Sequence, residues 1–176
     1  MSNHLSFDRL IRKTFPSVSK LTFNPLFKLL VDASDLPWKI VYPAYYRVLP
    51  PNHMRIRVGV GNDLFNNQLK YLVGAQYLWM ELFSQRLIDF NSTMVDIGSG
   101  CGKAAHVLRD FSSPGGRFNG VYIGVDIDKE MVAWCNSHFD SKRFRFWLST
   151  DGSKSYDKRW KPMNHIASRS RTALQI

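Results

Sequence analysis

Hydrophobic and polar positions divide the chain into stretches with different periods. From Asp63 to Phe90 apolar residues recur at three- and four-residue steps, through Leu64, Leu69, Leu72, Leu78, Leu82 and Ile88. This predicts one long helix, capped by Asp63 and buried over much of its surface. Met94, Val95 and Ile97 then form a short strand-like run, broken by glycines at 98, 100 and 102 before Ala104, Val107 and Leu108 open a helix that ends near Phe111. Ser112 to Gly116 reads as a turn. A second buried strand runs from Val121 to Val125, a helix follows over Lys129 to Phe139 with Asp128 as its cap, and Arg143 to Leu148 alternates as a third strand. Strand, helix, strand, helix, strand with right-handed crossovers makes a parallel sheet.

The N-terminal part is less regular. Residues 4–15 approximate a basic amphipathic helix, read as a packing helix because its apolar face is narrow and Asp8 interrupts it. Leu26 to Val31 offers another short helix, and Trp38 to Leu49, rich in tyrosine and proline, reads as irregular packing structure. Met54 to Asn62 alternates apolar and basic residues, which predicts a short strand with Gly59 and Gly61 open to close approach.

Composition narrows the classes. With 44% hydrophobic and 14% aromatic residues in 176, the chain can bury a real core as a soluble globular protein. No apolar run approaches the ~18 residues of a membrane span, and the N-terminus lacks the apolar region of a secretory signal. A cytoplasmic setting without a membrane partner is therefore expected. Twenty-four Lys and Arg against 14 Asp and Glu give a formal charge of +10, spread over the N-terminal third and the tail. That charge fits either a solvated basic surface or a nucleic-acid face. Cys101 and Cys135 have no metal-ligand spacing and make no disulfide framework. Cys101, in the glycine loop, is either a thiol activated by a helix N-terminus or a small side chain filling the loop, and the second is preferred.

The candidate chemistry lies at the glycine loop. Glycines there reach backbone angles closed to other residues and let a ligand lie against the main chain, while Asp126 at a strand's carboxyl end can accept both hydroxyls of a ribose. Together they describe a nucleoside pocket. The spacing departs from the dinucleotide fingerprint, and Asp96, two residues before the first glycine, would repel a pyrophosphate but suits a cationic amino group. Val95-Asp96-Ile97-Gly98-Ser99-Gly100-Cys101-Gly102, followed by Gly124-Val125-Asp126-Ile127-Asp128, resembles the first two motifs of the class I S-adenosylmethionine-dependent methyltransferases.

The resemblance covers roughly Met94 to Asp151 and implies an α/β fold. The expected architecture is a Rossmann-like parallel sheet, partial, with strands in the order 3-2-1 and a largely helical N-terminal extension. The expected divisions are 1–62 for the extension, 63–151 for the S-adenosyl-L-methionine-binding domain and 152–176 for a polar basic tail, disordered or non-native. By resemblance Asp96 meets the methionine amino group, Gly98, Ser99, Gly100 and Gly102 form the loop approached by methionine and ribose, and Asp126 takes the ribose hydroxyls. Ile127 packs on adenine, and either Thr150 or Asp151 meets its amino group or Asp151-Gly152-Ser153 is a solvated turn. Arg55 or Arg57 faces a carboxylate of cofactor or substrate, or both are solvated on an edge strand.

The implied activity is methyl transfer to an unidentified acceptor, a small molecule, RNA or protein. No catalytic residue is named and no metal is expected. Family members continue with further strands beside strand one, which this sequence does not show, so a truncated or frame-shifted product is expected. Its open edge would be left bare, covered by the segment from Arg55 to Val60, or paired with another subunit. The alternative function is a catalytically inactive fold that binds nucleoside or serves as a protein- or RNA-interaction module.

Overall fold

The computed structural model describes residues 23–46, 48–58, 64–65, 67–110, 112–113 and 116–150. The expected helix at 4–15, Gly59 to Asp63, Asp151 and the tail from 152 lie outside these.

Four short helices open the described chain: α1 Pro25–Ala33, α2 Leu36–Val41, α3 Pro43–Tyr46 and α4 Asn52–Arg57. Asn24 caps α1 by accepting the Leu26 and Phe27 N–H groups at 2.9 and 3.2 Å. Residues 38–49, expected to be irregular, contain the rest of α2 and all of α3. Their prolines stand in the first turn, where a missing N–H leaves no helical bond unmade.

The strand expected over 54–62 is corrected over its described part: residues 52–57 are helical. Its alternation of apolar and basic residues was not an alternation of inside and outside, because Asn52 to Ile56 are all buried. Arg55 is fully buried, with Nη2 on both oxygens of Asp35 at 2.8 and 2.9 Å, Nε on Asn67 Oδ1 at 2.7 Å and Nη1 on the Pro50 carbonyl at 2.6 Å. Asn67 in turn donates to Asn52, whose amide spans the Val31 and Leu64 carbonyls, and Gln68 donates to Asp35. The guanidinium is neither solvated nor turned to a ligand. Its carboxylate partner is internal.

The long helix α5 is Gln68–Ser84, shorter than the apolar pattern predicts. Arg86, at φ 56°, ends it: its N–H donates to the Phe83 carbonyl and the Leu87 N–H to the Leu82 carbonyl, at 3.1 and 3.0 Å. Those two bonds close a helix through a left-handed residue, a place glycine usually fills. Burial is also narrower than expected. Tyr71, Ala75 and Trp79 form the buried stripe, with the Trp79 indole N–H on the Ala104 carbonyl at 2.8 Å, while Val73, Tyr77, Leu78 and Met80 are exposed.

Strand β1, Thr93–Ile97, leads through the glycine loop into α6, Lys103–Asp110. A small antiparallel hairpin, β2 Ser112–Ser113 and β3 Gly116–Arg117, stands where a turn was expected. Then come β4 Val121–Asp126, α7 Lys129–His138 and β5 Phe144–Leu148. The sheet is three-stranded, all parallel, in the order β1-β4-β5. This is the expected 3-2-1 order in a mixed α/β fold.

Register sorts the sheet into two unlike faces. Met94, Tyr122 and Phe144 align across the strands, as do Asp96, Gly124 and Phe146. Tyr122, Phe144 and Phe146 are buried in a core with Trp79 of α5, Leu108 of α6, Val132 of α7 and Phe139 just after α7. Burying each such side chain contributes roughly 1.5–3 kcal/mol. The opposite face carries Val95, Ile97 and Trp147, all exposed, Ile97 at 86%. Among the described residues β1 has no neighbour on its outer edge. The segment expected to cover that edge lies elsewhere, with Val58 against Gly100.

Candidate functional site

The loop between β1 and α6 is set by three left-handed glycines, with φ of 82° at Gly98, 54° at Gly100 and 74° at Gly102. The Gly98 and Ser99 N–H groups both donate to the Val125 carbonyl at 2.8 and 3.2 Å, which fixes the loop against the end of β4. The three positions face different surroundings. A β-carbon at Gly102 would lie 3.1 Å from the Phe139 ring and 3.2 Å from the Cys135 sulfur, so that glycine serves helix packing. At Gly100 it would lie 2.3 Å from a Val58 methyl. At Gly98 it would meet nothing within 4 Å, leaving this glycine open to close approach.

Asp126 ends β4 beside this loop. Its Oδ2 accepts the Gly100 N–H at 2.7 Å and its Oδ1 the Asp128 N–H at 2.8 Å, so one carboxylate ties the loop to the turn before α7. Each oxygen keeps a lone pair for a further donor. Asp128 caps α7, as expected, through the Glu130 and Met131 N–H groups. Ile127, between the two acids, is exposed. Asp96 takes the Tyr122 hydroxyl as a donor. Burial, together with the nearby Asp96 charge, raises the Tyr122 pKa well above 10 and keeps that proton on the phenol. Ser99 is buried and its hydroxyl has no partner among the described residues. The structure thus gathers Asp96, Gly98, Ser99, Gly100, Gly102, Asp126 and Ile127 at the carboxyl ends of β1 and β4. Asp151 lies outside the described residues.

Cys101 is buried and burial pushes its thiol up to about 12, in spite of the Tyr71 hydroxyl 3.5 Å away. Burial likewise raises Cys135. Cys101 thus fills the loop, the preferred reading, and is not an activated thiol. No group of His, Cys, Asp and Glu among the described residues could hold a metal ion.

Sequence reasoning missed what lies beside the loop. Val58 covers Gly100, and the residues next to it bind α7: Arg57 meets Glu130 at 2.7 Å and Asp128 at 3.1 Å, and Lys28 meets Glu130 at 2.6 Å. His53 stands between Asp32 at 2.7 Å and Glu130 at 3.2 Å. Arg57 therefore faces carboxylates of the protein itself. Its partners are 71 and 73 residues away, and only the acid pair Asp128 and Glu130 marks the place in the sequence.

Burial opposes charge on Glu130, yet the Lys28 and Arg57 bonds outweigh it and hold the carboxyl down at about 2, below its usual 4.5. The stability this adds is present above pH 4.5 and lost as pH falls towards 2. In acid titrations followed by circular dichroism, the wild type should lose stability more steeply between pH 5 and 2 than Glu130→Gln. Equal slopes would show that the cluster contributes nothing.

No family model matches the chain, and no curated protein matches it.

Proposed function

We propose that the chain is a Rossmann-like S-adenosyl-L-methionine-binding protein, a methyltransferase or the cofactor-binding half of one, acting on an unidentified acceptor. The observation that carries this reading is Asp126: a carboxylate at a strand's carboxyl end, beside an open glycine at φ 82°, with lone pairs left for two hydroxyls. The unpartnered Ser99 hydroxyl supports it, as a buried donor in the loop. Asp126 would hold the ribose, Gly98 and Ser99 the main chain's side of the ligand, Asp96 the amino group and Ile127 the base, with Asp151 as a further candidate. The bound cofactor supplies an activated methyl group, so the protein's part is largely alignment.

A second reading is favoured by Val58 over Gly100 and by the uncovered sheet face. In it the fold binds nucleoside without methyl transfer, or serves as an interaction module for protein or RNA.

Isothermal titration with S-adenosylhomocysteine, run on the wild type and Asp126→Ala, tests the site. Charge-assisted bonds to ribose contribute about 1.5–3 kcal/mol, so affinity should fall by more than about tenfold. Thermal unfolding of both proteins checks that the loop tie is not the cause. A folded wild type that takes up no ligand would refute cofactor binding, and binding without methyl transfer would favour the second reading.

A further inference from the structure

Aromatic rings line the core face of the sheet, and one of them carries a hydroxyl. Tyr122 stands between Phe144 and Phe146, with ring centroids 5.9 and 5.8 Å away, and is fully buried. A buried phenol needs a partner for that hydroxyl. Register supplies it. Tyr122 lies opposite Met94, so Asp96, two residues on in β1, shares the same face one step nearer the glycine loop. The hydroxyl donates to Asp96 Oδ2, and among the described residues nothing donates to Oδ1. Because burial keeps the proton on the phenol, the bond runs one way.

Gly124, the register partner of Asp96, completes this corner. A β-carbon there would lie 2.8 Å from Ser99 Oγ and 2.6 Å from the Phe146 ring, so the glycine leaves the room in which the Ser99 hydroxyl sits. That hydroxyl is buried and has no partner among the described residues. An otherwise aromatic corner under the loop thus holds one anchored carboxylate and one unsatisfied hydroxyl.

We propose that Tyr122 is a positioning residue: it aims Asp96 at the amine of the ligand, so that the site selects a nucleoside carrying a cationic amino group over one without it. The proposal rests on the cofactor-binding reading and adds to it the group that makes Asp96 selective. A free aspartate turns about two side-chain bonds and must be ordered when a ligand arrives. Anchored at one oxygen, it presents the other in a fixed direction beforehand. An ammonium group has three donors, and Ser99 Oγ is a second acceptor at the same corner. Tyr122 acts through Asp96 and does not itself touch the ligand.

The test is isothermal titration of the full chain with S-adenosylhomocysteine and with its deamino analogue, which keeps the adenosine, sulfur and carboxylate. The wild type should prefer the amine by at least about tenfold, as a charge-assisted bond provides. Tyr122→Phe keeps the ring among its neighbours and removes only the hydroxyl. It should weaken S-adenosylhomocysteine by about three- to tenfold and leave the deamino analogue within about twofold. A residue that merely supported the core would weaken both alike. Asp96→Asn should remove the preference, and adding Tyr122→Phe to it should change nothing further, because the hydroxyl acts through that carboxylate. Thermal unfolding checks that each variant is folded. A wild type that takes up neither ligand refutes cofactor binding and this proposal with it. Uptake of both without preference for the amine overturns this proposal alone, as does a Tyr122→Phe variant that keeps the wild-type affinities or loses both equally.

Discussion

Arg55→Ala should lower the unfolding free energy by about 3–5 kcal/mol, a large share of the 5–15 kcal/mol that a domain has in total. Asp35 is 1% exposed, and without the guanidinium it keeps only the Gln68 amide at 2.9 Å among these partners. The Pro50 carbonyl and Asn67 Oδ1 lose their donor at the same time. An unpaired charge in an apolar interior is what makes the loss large, more than the bond itself. Urea denaturation would show it as a lower midpoint at unchanged slope. Replacing both partners, Arg55→Met with Asp35→Leu, should recover part of the loss, because no charge is then stranded. A single variant that unfolds at the wild-type midpoint would mean the guanidinium is not buried as described.

Gly100→Ala should cost about 3 kcal/mol by two separate effects. A left-handed backbone at φ 54° costs about 1–2 kcal/mol for a residue with a β-carbon. The new methyl would also lie 2.3 Å from Val58 Cγ1, and a β-branched side chain has little freedom to turn away, which adds about 1–3 kcal/mol. Adding Val58→Ala should return the second part and not the first. Gly98→Ala, with nothing within 4 Å, should show backbone strain alone. The comparison by chemical denaturation is a double-mutant cycle in which the coupling between residues 58 and 100 is the quantity read. If Gly100→Ala and Gly98→Ala lose the same stability, Val58 does not press on the loop.

The parts of this fold that local sequence determines were legible. β1, the glycine loop, β4 and the Asp128 cap each depend on residues a few positions apart, and the parallel order follows from the alternation of strands and helices. The ends of α5 were not legible. Its apolar pattern runs on through Leu87 and Ile88, and Ile88 does pack on the core, from beyond a turn made by a non-glycine residue. Arg55 and Arg57 were visible as unusual but not as to partner, since Asp35 and Glu130 are distant in sequence and arrive by tertiary packing. The site was read in the same uneven way. Left-handed glycines can be inferred from composition, whereas the covering of Gly100 by Val58 depends on where α4 lands. Tyr122 on Asp96 illustrates the middle case: register places Tyr122 opposite Met94, one step from its acceptor, but no spacing rule finds it.

The cluster on Glu130 also orders events in time. Its bonds join residues 28 and 130, a separation of 102, and residues 53 and 57 to the same carboxylate. Closing so long a loop carries an entropic cost that grows with the logarithm of its length, and it is met only once α7 has formed and been capped. During synthesis Lys28, His53 and Arg57 therefore emerge well before the carboxylate they share, which follows β4 in the chain.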